Sequence, residues 1–333
     1  MKIAFFEVRD GERELLKAAL PGHELLFYKE KLSKENTAWA VGCDVASIFI
    51  NSEVNKEILD RLIGLRYITI RATGFDNIDV EYAKSKSITV SNVPGYGATT
   101  VAEFTFGLLL NLSRKIYEAS RQMSIGTSYD VHGLRGFELH GKTLGVIGTG
   151  RIGKNVIRIA KGFGMVVVAS DAFPDLNFAK EMGFEYRDLN GLLAISDIVS
   201  IHTPYNKMTH HLLNKDNILL MKIGAYLINT ARGEIIDTEA LVINLKSGHI
   251  AGVGLDVIEG ERTLKEEADL LTHGKMRPED FRMIAEDHML LDMPNVIMTP
   301  HIAFYTKEAE VEIIKTTAEN ILNFSEGKPQ NLV

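Results

Sequence analysis

Short apolar runs that alternate with segments of helical spacing predict an α/β protein built from two doubly wound parallel sheets. Three observations carry that reading. The alternation spans residues 1–94 and breaks at Asn92-Val93-Pro94-Gly95. It restarts at Lys142 with an apolar run, Thr143-Leu144-Gly145-Val146-Ile147, that leads directly into a glycine-rich turn. Finally, the last strand pattern is followed by a closing helix over 307–323, so that the second α/β unit reads as inserted into the first, with crossings near 100 and 300.

Taken in order, the first unit has strand patterns at 3–8, 24–28, 45–50, 67–72 and 88–93, with helical or mixed segments between them. A long apolar helix is expected from about Thr100 to Gln122, where Thr100 and Glu103 have capping-box spacing. After the strand at 143–147, residues 151–162 place Ile152, Val156, Ile157 and Ile159 at helical spacing. Further strands are expected at 166–170, 197–202, 225–229, 250–256 and 295–299. Residues 262–294 are charged and Met-rich and read as a surface excursion. Doubly wound sheets bind ligands beyond the carboxyl ends of their strands, so a cleft between the two units is the expected site.

The turn Gly148-Thr149-Gly150-Arg151-Ile152-Gly153 joins a strand to a helix, the context in which G-x-G-x-x-G binds a dinucleotide. Gly148 permits the tight turn, Gly150 lets the backbone approach a pyrophosphate, and Gly153 lets helix and strand pack closely. The helix N-terminus offers N–H groups and partial positive charge to the diphosphate. Asp171 ends the next strand 18 residues past Gly153, the distance of a carboxylate that accepts from ribose hydroxyls. That carboxylate repels a 2′-phosphate, and Ala172-Phe173-Pro174 supplies no cation for one, so NAD is expected over NADP.

Polar residues recur at three later strand ends. Arg232 follows Asn229-Thr230-Ala231, Glu259 and Glu261 follow Leu255-Asp256-Val257, and His301 follows Thr299-Pro300. If those strands are parallel neighbours, the three groups converge on one edge. A guanidinium binds a carboxylate with two parallel bonds, an imidazolium protonates a carbonyl oxygen as hydride arrives at its carbon, and an acid beside the His sets its tautomer. Beside NAD, this set suits reversible reduction of a 2-keto acid. Spacing leaves Glu259 and Glu261 open, since a two-residue step along extended chain puts both on one face.

A net charge of −7 argues against a nucleic-acid partner, and Cys43 is the only cysteine, which excludes a disulfide framework and a cysteine-based metal site. No metal is expected, because the adjacent His210-His211 lacks ligand spacing on one helix face and reads as solvated or capping. No apolar stretch approaches a membrane span, and the opening run is too short for a signal peptide. The cytoplasm is therefore the expected compartment.

Over essentially its full length the chain resembles the D-isomer-specific 2-hydroxyacid dehydrogenase family. The matching pieces are Arg71-Ala72-Thr73-Gly74-Phe75-Asp76-Asn77-Ile78-Asp79, Asn92-Val93-Pro94, the glycine-rich turn, Asn229-Thr230-Ala231-Arg232-Gly233, Leu255-Asp256-Val257 and Thr299-Pro300-His301. The tail His301-Ile302-Ala303-Phe304-Tyr305-Thr306 and the 39 residues between Glu261 and His301 resemble the D-lactate dehydrogenase branch, which usually continues into Ser-Pro where Tyr96 here meets Gly97-Ala98-Thr99.

The resemblance implies a Rossmann NAD-binding domain, 100–299, inserted into a flavodoxin-like substrate-binding domain, 1–99 and 300–333. It implies Arg232 as the substrate-orienting arginine, His301 as proton donor and Glu261 as the acid paired with it. It places Arg151, Ile152, Asp171, Thr203, Pro204, Thr230, Ala231 and Asp256 at cofactor contacts, and Thr73, Gly74 and Tyr96 on the substrate side. It also implies a homodimer joined through the cofactor domains. Reduction of pyruvate to D-lactate is the expected reaction. The alternatives are a bulkier branched keto acid, a phosphorylated one, or an NAD-responsive corepressor-like binding protein. Phe49-Ile50-Asn51-Ser52-Glu53 offers no cation for a phosphate, and neither end carries an interaction tail.

Overall fold

The computed structural model describes residues 1–126, 129–265 and 278–333, in two compact units. The first comprises Met1–Tyr96 with Tyr305–Val333, and the second Gly97–Phe304.

In the first unit β1 (Lys2–Phe5), β2 (Glu24–Phe27), β3 (Val45–Ile48), β4 (Tyr67–Ile70) and β5 (Thr89–Ser91) form one sheet in the order β2-β1-β3-β4-β5, every pairing parallel. Helices α1 (Glu12–Ala19), α2 (Lys56–Arg61) and α3 (Val80–Ser85) connect the strands. Ile3, Phe5, Leu16, Val45, Tyr67, Ile314 and Ile321 make a shared core. The first strand ends earlier than its apolar run suggests, because Glu7 (φ 56°) turns the chain at the carboxyl edge. Its carboxylate then accepts from the backbone N–H of Phe49 (3.1 Å), Asn51 (2.9 Å) and Ser52 (2.9 Å). The buried Arg71 side chain donates to the carbonyls of Phe6 (2.7 Å) and Glu7 (2.9 Å), tying the ends of β1, β3 and β4 together.

In the second unit α4 (Ala98–Arg114) and α5 (Ile116–Gly126) stand where one helix was expected. Lys115 adopts a left-handed conformation (φ 56°) and separates them. The helix starts at Ala98 with Gly97 as N-cap and no side-chain cap, so Thr100 lies inside its first turn and is not a capping residue. Then come β6 (Thr143–Ile147), α6 (Arg151–Gly162), β7 (Val166–Ser170), α7 (Leu176–Met182), β8 (Glu185–Tyr186), α8 (Leu189–Ile195), β9 (Ile198–Ile201), β10 (Ala225–Asn229), α9 (Thr238–Lys246), β11 (Ile250–Leu255), α10 (Glu261–Lys265), α11 (Pro278–Asp292) and β12 (Val296–Met298). The sheet order is β12-β11-β10-β9-β6-β7-β8, again all parallel, with the order reversing between β6 and β9. Helix α12 (Lys307–Ser325), capped by Thr306 on the N–H of Ala309, returns the chain to the first unit.

Two further features of the second unit depart from the sequence reading. The two-residue β8 escapes any periodicity test. The stretch 278–292 is a helix with a buried face, not a surface excursion, whereas 266–277 lie outside the described residues. Among the described residues no helix is long and apolar enough to cross a membrane.

Candidate active site

At the point where the sheet order reverses, the glycine-rich turn packs backbone to backbone. Gly148 has φ 91°, and a Cβ there would lie 2.7 Å from the carbonyl of His202 and the nitrogen of Thr203. A Cβ on Gly153 would lie 2.0 Å from the carbonyl oxygen of Gly148, so the first turn of α6 closes on the loop. Gly150 meets nothing within 4 Å and is the N-cap of α6, which carries no side-chain cap. That leaves an uncapped helix terminus with an open approach, as a diphosphate requires.

Asp171 follows β7 and accepts from Thr149 through both N–H (2.5 Å) and hydroxyl (2.9 Å), while its other oxygen accepts from the N–H of Phe173 (2.8 Å). Acceptor-only and half-buried, it suits donating ribose hydroxyls. Tyr186, on the strand missed from sequence, shares a hydrogen bond with Thr149 (2.9 Å) and accepts from the N–H of Asp175 (3.1 Å). Thr203 and Pro204 follow β9 at the same edge, and Thr230 after β10 bonds Thr105 hydroxyl to hydroxyl (3.1 Å). His202 is buried against Ser200 (2.8 Å), and burial pushes its imidazole down to about 3.

The strands β10, β11 and β12 are parallel neighbours, so their carboxyl ends share one edge. After β10 the Asn229 side chain accepts from the N–H of Ala231 (3.0 Å) and donates to the carbonyl of Arg232 (2.8 Å), stitching the turn that presents Arg232. The Arg232 guanidinium donates to the Ala231 carbonyl (2.8 Å). Gly233 is pressed on the next loop: a Cβ there would lie 1.9 Å from the carbonyl carbon of Ile258 and 2.2 Å from the nitrogen of Glu259. The arginine loop and the acid loop are therefore in backbone contact.

The two acids that spacing could not separate part company in the fold. Gly260 takes φ 73°, which ends the extended alternation, and Glu261 begins α10. Glu261 faces His301, with its Oε2 3.0 Å and Oε1 3.3 Å from Nδ1. Glu259 points the other way and engages Nε2 of His211 (2.7 Å) and the hydroxyl of Thr238 (3.1 Å). His211, read from sequence as solvated or capping, is thus a partner of Glu259.

His301 holds a left-handed backbone (φ 56°), a conformation that costs a non-glycine residue about 1–3 kcal/mol. Asp256 holds that turn in place. One of its oxygens accepts from the hydroxyl of Thr299 (2.5 Å) and the N–H of Ile302 (2.9 Å), and the other from the N–H of Ala303 (2.7 Å). Only 1% exposed, its carboxyl is pushed up by burial, against the pull of those three donors. Sequence reasoning gave Asp256 no part in positioning His301. The signal was an acid ending one strand beside a His ending its neighbour, which needs strand order to be read.

In the first unit Thr73 and Gly74 follow β4. The Thr73 hydroxyl donates to the carbonyl of Val93 (2.9 Å), and Asn92 donates to the carbonyl of Thr73 (2.7 Å). Tyr96 is half-buried at the end of the unit's first segment.

A glycine-rich strand-to-helix turn at the reversal point of a parallel sheet, with an acid ending the adjacent strand and a His–Glu pair on the same edge, defines a dinucleotide-dependent oxidoreductase. Residues 106–303 match the NAD-binding domain of the D-isomer specific 2-hydroxyacid dehydrogenases. The D-lactate dehydrogenase of Escherichia coli K12 is 37% identical over 339 residues, covering 100% of both chains. An aromatic 2-oxoacid reductase of Clostridium sporogenes is 38% identical, covering 97% of this chain and 96% of its own. Among solved structures, the D-lactate dehydrogenase of Aquifex aeolicus complexed with NAD and lactic acid superposes with a TM-score of 0.87 at 36% identity, covering 98% of this chain and 96% of its own. The chain belongs to the D-isomer specific 2-hydroxyacid dehydrogenase family. Its cofactor is NAD, and it acts on the CH–OH group of 2-hydroxy acids.

Proposed function

We propose that this enzyme interconverts pyruvate and D-lactate, with Arg232, Glu261 and His301 as its catalytic residues. The observation that carries the reading is the His301–Glu261 pair at 3.0 Å, at the end of a strand two places from the one that presents Arg232. The fully matched Escherichia coli relative supports the choice of substrate.

In this reading the Arg232 guanidinium binds the substrate carboxylate and polarises the adjoining keto group. The Glu261 carboxylate accepts from Nδ1 of His301, which makes Nε2 the nitrogen that gives a proton to the keto oxygen in reduction and takes it back in oxidation. NAD, when bound, supplies or accepts the hydride at the substrate's C2. Gly148, Gly150, Arg151, Ile152 and Gly153 would hold its diphosphate, Asp171 its adenosine ribose, and Thr203, Pro204, Thr230 and Ala231 its nicotinamide half. Asp256, its oxygens committed to the His301 turn, acts as a positioning residue. Thr73, Gly74 and Tyr96 are the substrate-side residues of the 1–99 and 300–333 domain, with 100–299 as the NAD-binding domain.

A homodimer in the cytoplasm belongs to the same proposal. Support for the dimer comes from α5, which buries none of its residues and exposes Ile116, Tyr117 and Ile125. The buried, disulfide-free Cys43 suits a reducing compartment. A second reading, an aromatic or branched keto acid as preferred substrate, is favoured by the Clostridium sporogenes relative. The test of the site is His301→Ala, which should lose about 10²–10⁴ in rate with NADH binding kept. Undiminished turnover would remove His301 from the chemistry.

A further inference from the structure

The inward face of α11 carries a buried carboxyl. Asp287 is 0% exposed, and neither of its oxygens has a hydrogen-bond partner among the described residues. One helical turn earlier on the same face sits Met283, and a Cβ on Gly260 would lie 1.8 Å from its sulfur. Met283 therefore rests on the glycine that joins Glu259 to Glu261. Ile284 and Leu290 continue the buried side of the helix. The helix is the backing of the turn that aims Glu261 at His301.

Among the described residues, His288 opposes the burial and the two acids that disfavour an ionised Asp287. Glu259 faces it from the turn, committed to His211 and Thr238. Within α11, Glu286 and His288 flank it, and Arg282 is occupied by Glu239 of α9 and by Glu286. Lys246 of α9 reaches the sulfur of Met289 (3.3 Å), Glu261 of α10 is paired with His301, and β12 has no titratable side chain. Burial first, then Glu259 and Glu286, push the Asp287 carboxyl up to about 7. Because the native fold keeps a proton that the unfolded chain has lost, stability from this group is complete at acid pH. It is lost as pH climbs from the ordinary carboxyl range through about 7.

We propose that Asp287 is a positioning residue for the Glu261–His301 pair. Neutral, it lets α11 seat on the Gly260 turn; ionised, beside Glu259 and Glu286, it unseats that helix and lowers activity as pH rises through about 7. The proposal rests on the assignment of His301 as the proton-transfer group. It makes a separable prediction, since a His base becomes more active in the oxidation of hydroxy acid as pH rises, whereas ionised Asp287 lowers activity in both directions.

The experiment compares wild type, Asp287→Asn and Asp287→Leu between pH 6 and 9, by melting temperature and by kcat/KM in each direction. At pH 8.5 both variants should exceed wild type by about tenfold in oxidation as well as reduction, and their melting temperatures should lack the wild-type fall between pH 6 and about 7. Hydrogen exchange of the α11 amides in wild type, corrected for intrinsic base catalysis, should rise over the same range. Parallel pH profiles for wild type and variants, or α11 exchange that stays flat, would overturn the proposal. Full activity of His301→Ala would instead remove the assignment on which it rests, while the melting and exchange data would still report on Asp287.

Discussion

Replacing Asp256 asks how much of the catalytic geometry depends on one buried carboxylate. Its three bonds, from Thr299 (2.5 Å), Ile302 (2.9 Å) and Ala303 (2.7 Å), brace both sides of His301. Hydrogen bonds to a charged group contribute about 1.5–3 kcal/mol each, enough together to hold His301 at φ 56° against a strain of about 1–3 kcal/mol. Asp256→Ala removes all three bonds, and the turn relaxes by the strain it had been holding. The population with His301 aimed correctly then falls by roughly 5- to 150-fold, and kcat with it. Asp256→Asn should fare little better, because its NH₂ would face an N–H donor where an oxygen had accepted. The assay is steady-state kcat beside the NADH dissociation constant from fluorescence titration. Positioning predicts a large loss in kcat with NADH affinity changed by less than about fivefold. An equal loss in both would show that Asp256 serves the cofactor, and the positioning account would fail.

Two further predictions rest on backbone packing and on burial. Gly153→Ala drives a Cβ to 2.0 Å from the Gly148 carbonyl and should lower both the melting temperature and NADH affinity, whereas Gly150→Ala meets no protein atom within 4 Å and should lower affinity alone; calorimetry and titration of both variants distinguish them. His202, held near 3 by burial, stays neutral in the fold while the unfolded chain takes up a proton below about 6.5. Its stabilising contribution is present above that pH and should fall by about 1.4 kcal/mol per pH unit below it, a loss absent in His202→Gln when melting is followed from pH 7 to 5.

Much of this was legible from sequence because local chemistry and fold agree. The strand-turn-helix at 143–162 and the acid at Asp171 are local signals, and they occupy the positions their spacing implies. The pairing of His301 with Glu261 needed more. Extended-chain geometry made Glu259 and Glu261 equivalent, and the left-handed Gly260, invisible in a spacing argument, sends them to different partners. Asp256 and Tyr186 were unreadable as braces because their partners follow other strands, 43 residues away for Thr299 and 37 for Thr149. The break at Lys115 and the helix at 278–292 were missed for a different reason. A left-handed lysine has no sequence signature, and a charged helix with an Asp on its buried face does not show an apolar stripe.

The most direct measurement is NADH oxidation at 340 nm with pyruvate, 2-ketobutyrate, 2-ketoisocaproate, phenylpyruvate and 3-phosphohydroxypyruvate, with the chirality of each product determined. Fast turnover of pyruvate to the D-hydroxy acid is the predicted result. A strong preference for phenylpyruvate or 2-ketoisocaproate would move the substrate to the larger keto acids while leaving the site intact. An L-configured product, or no turnover of any keto acid with NADH bound, would contradict the account.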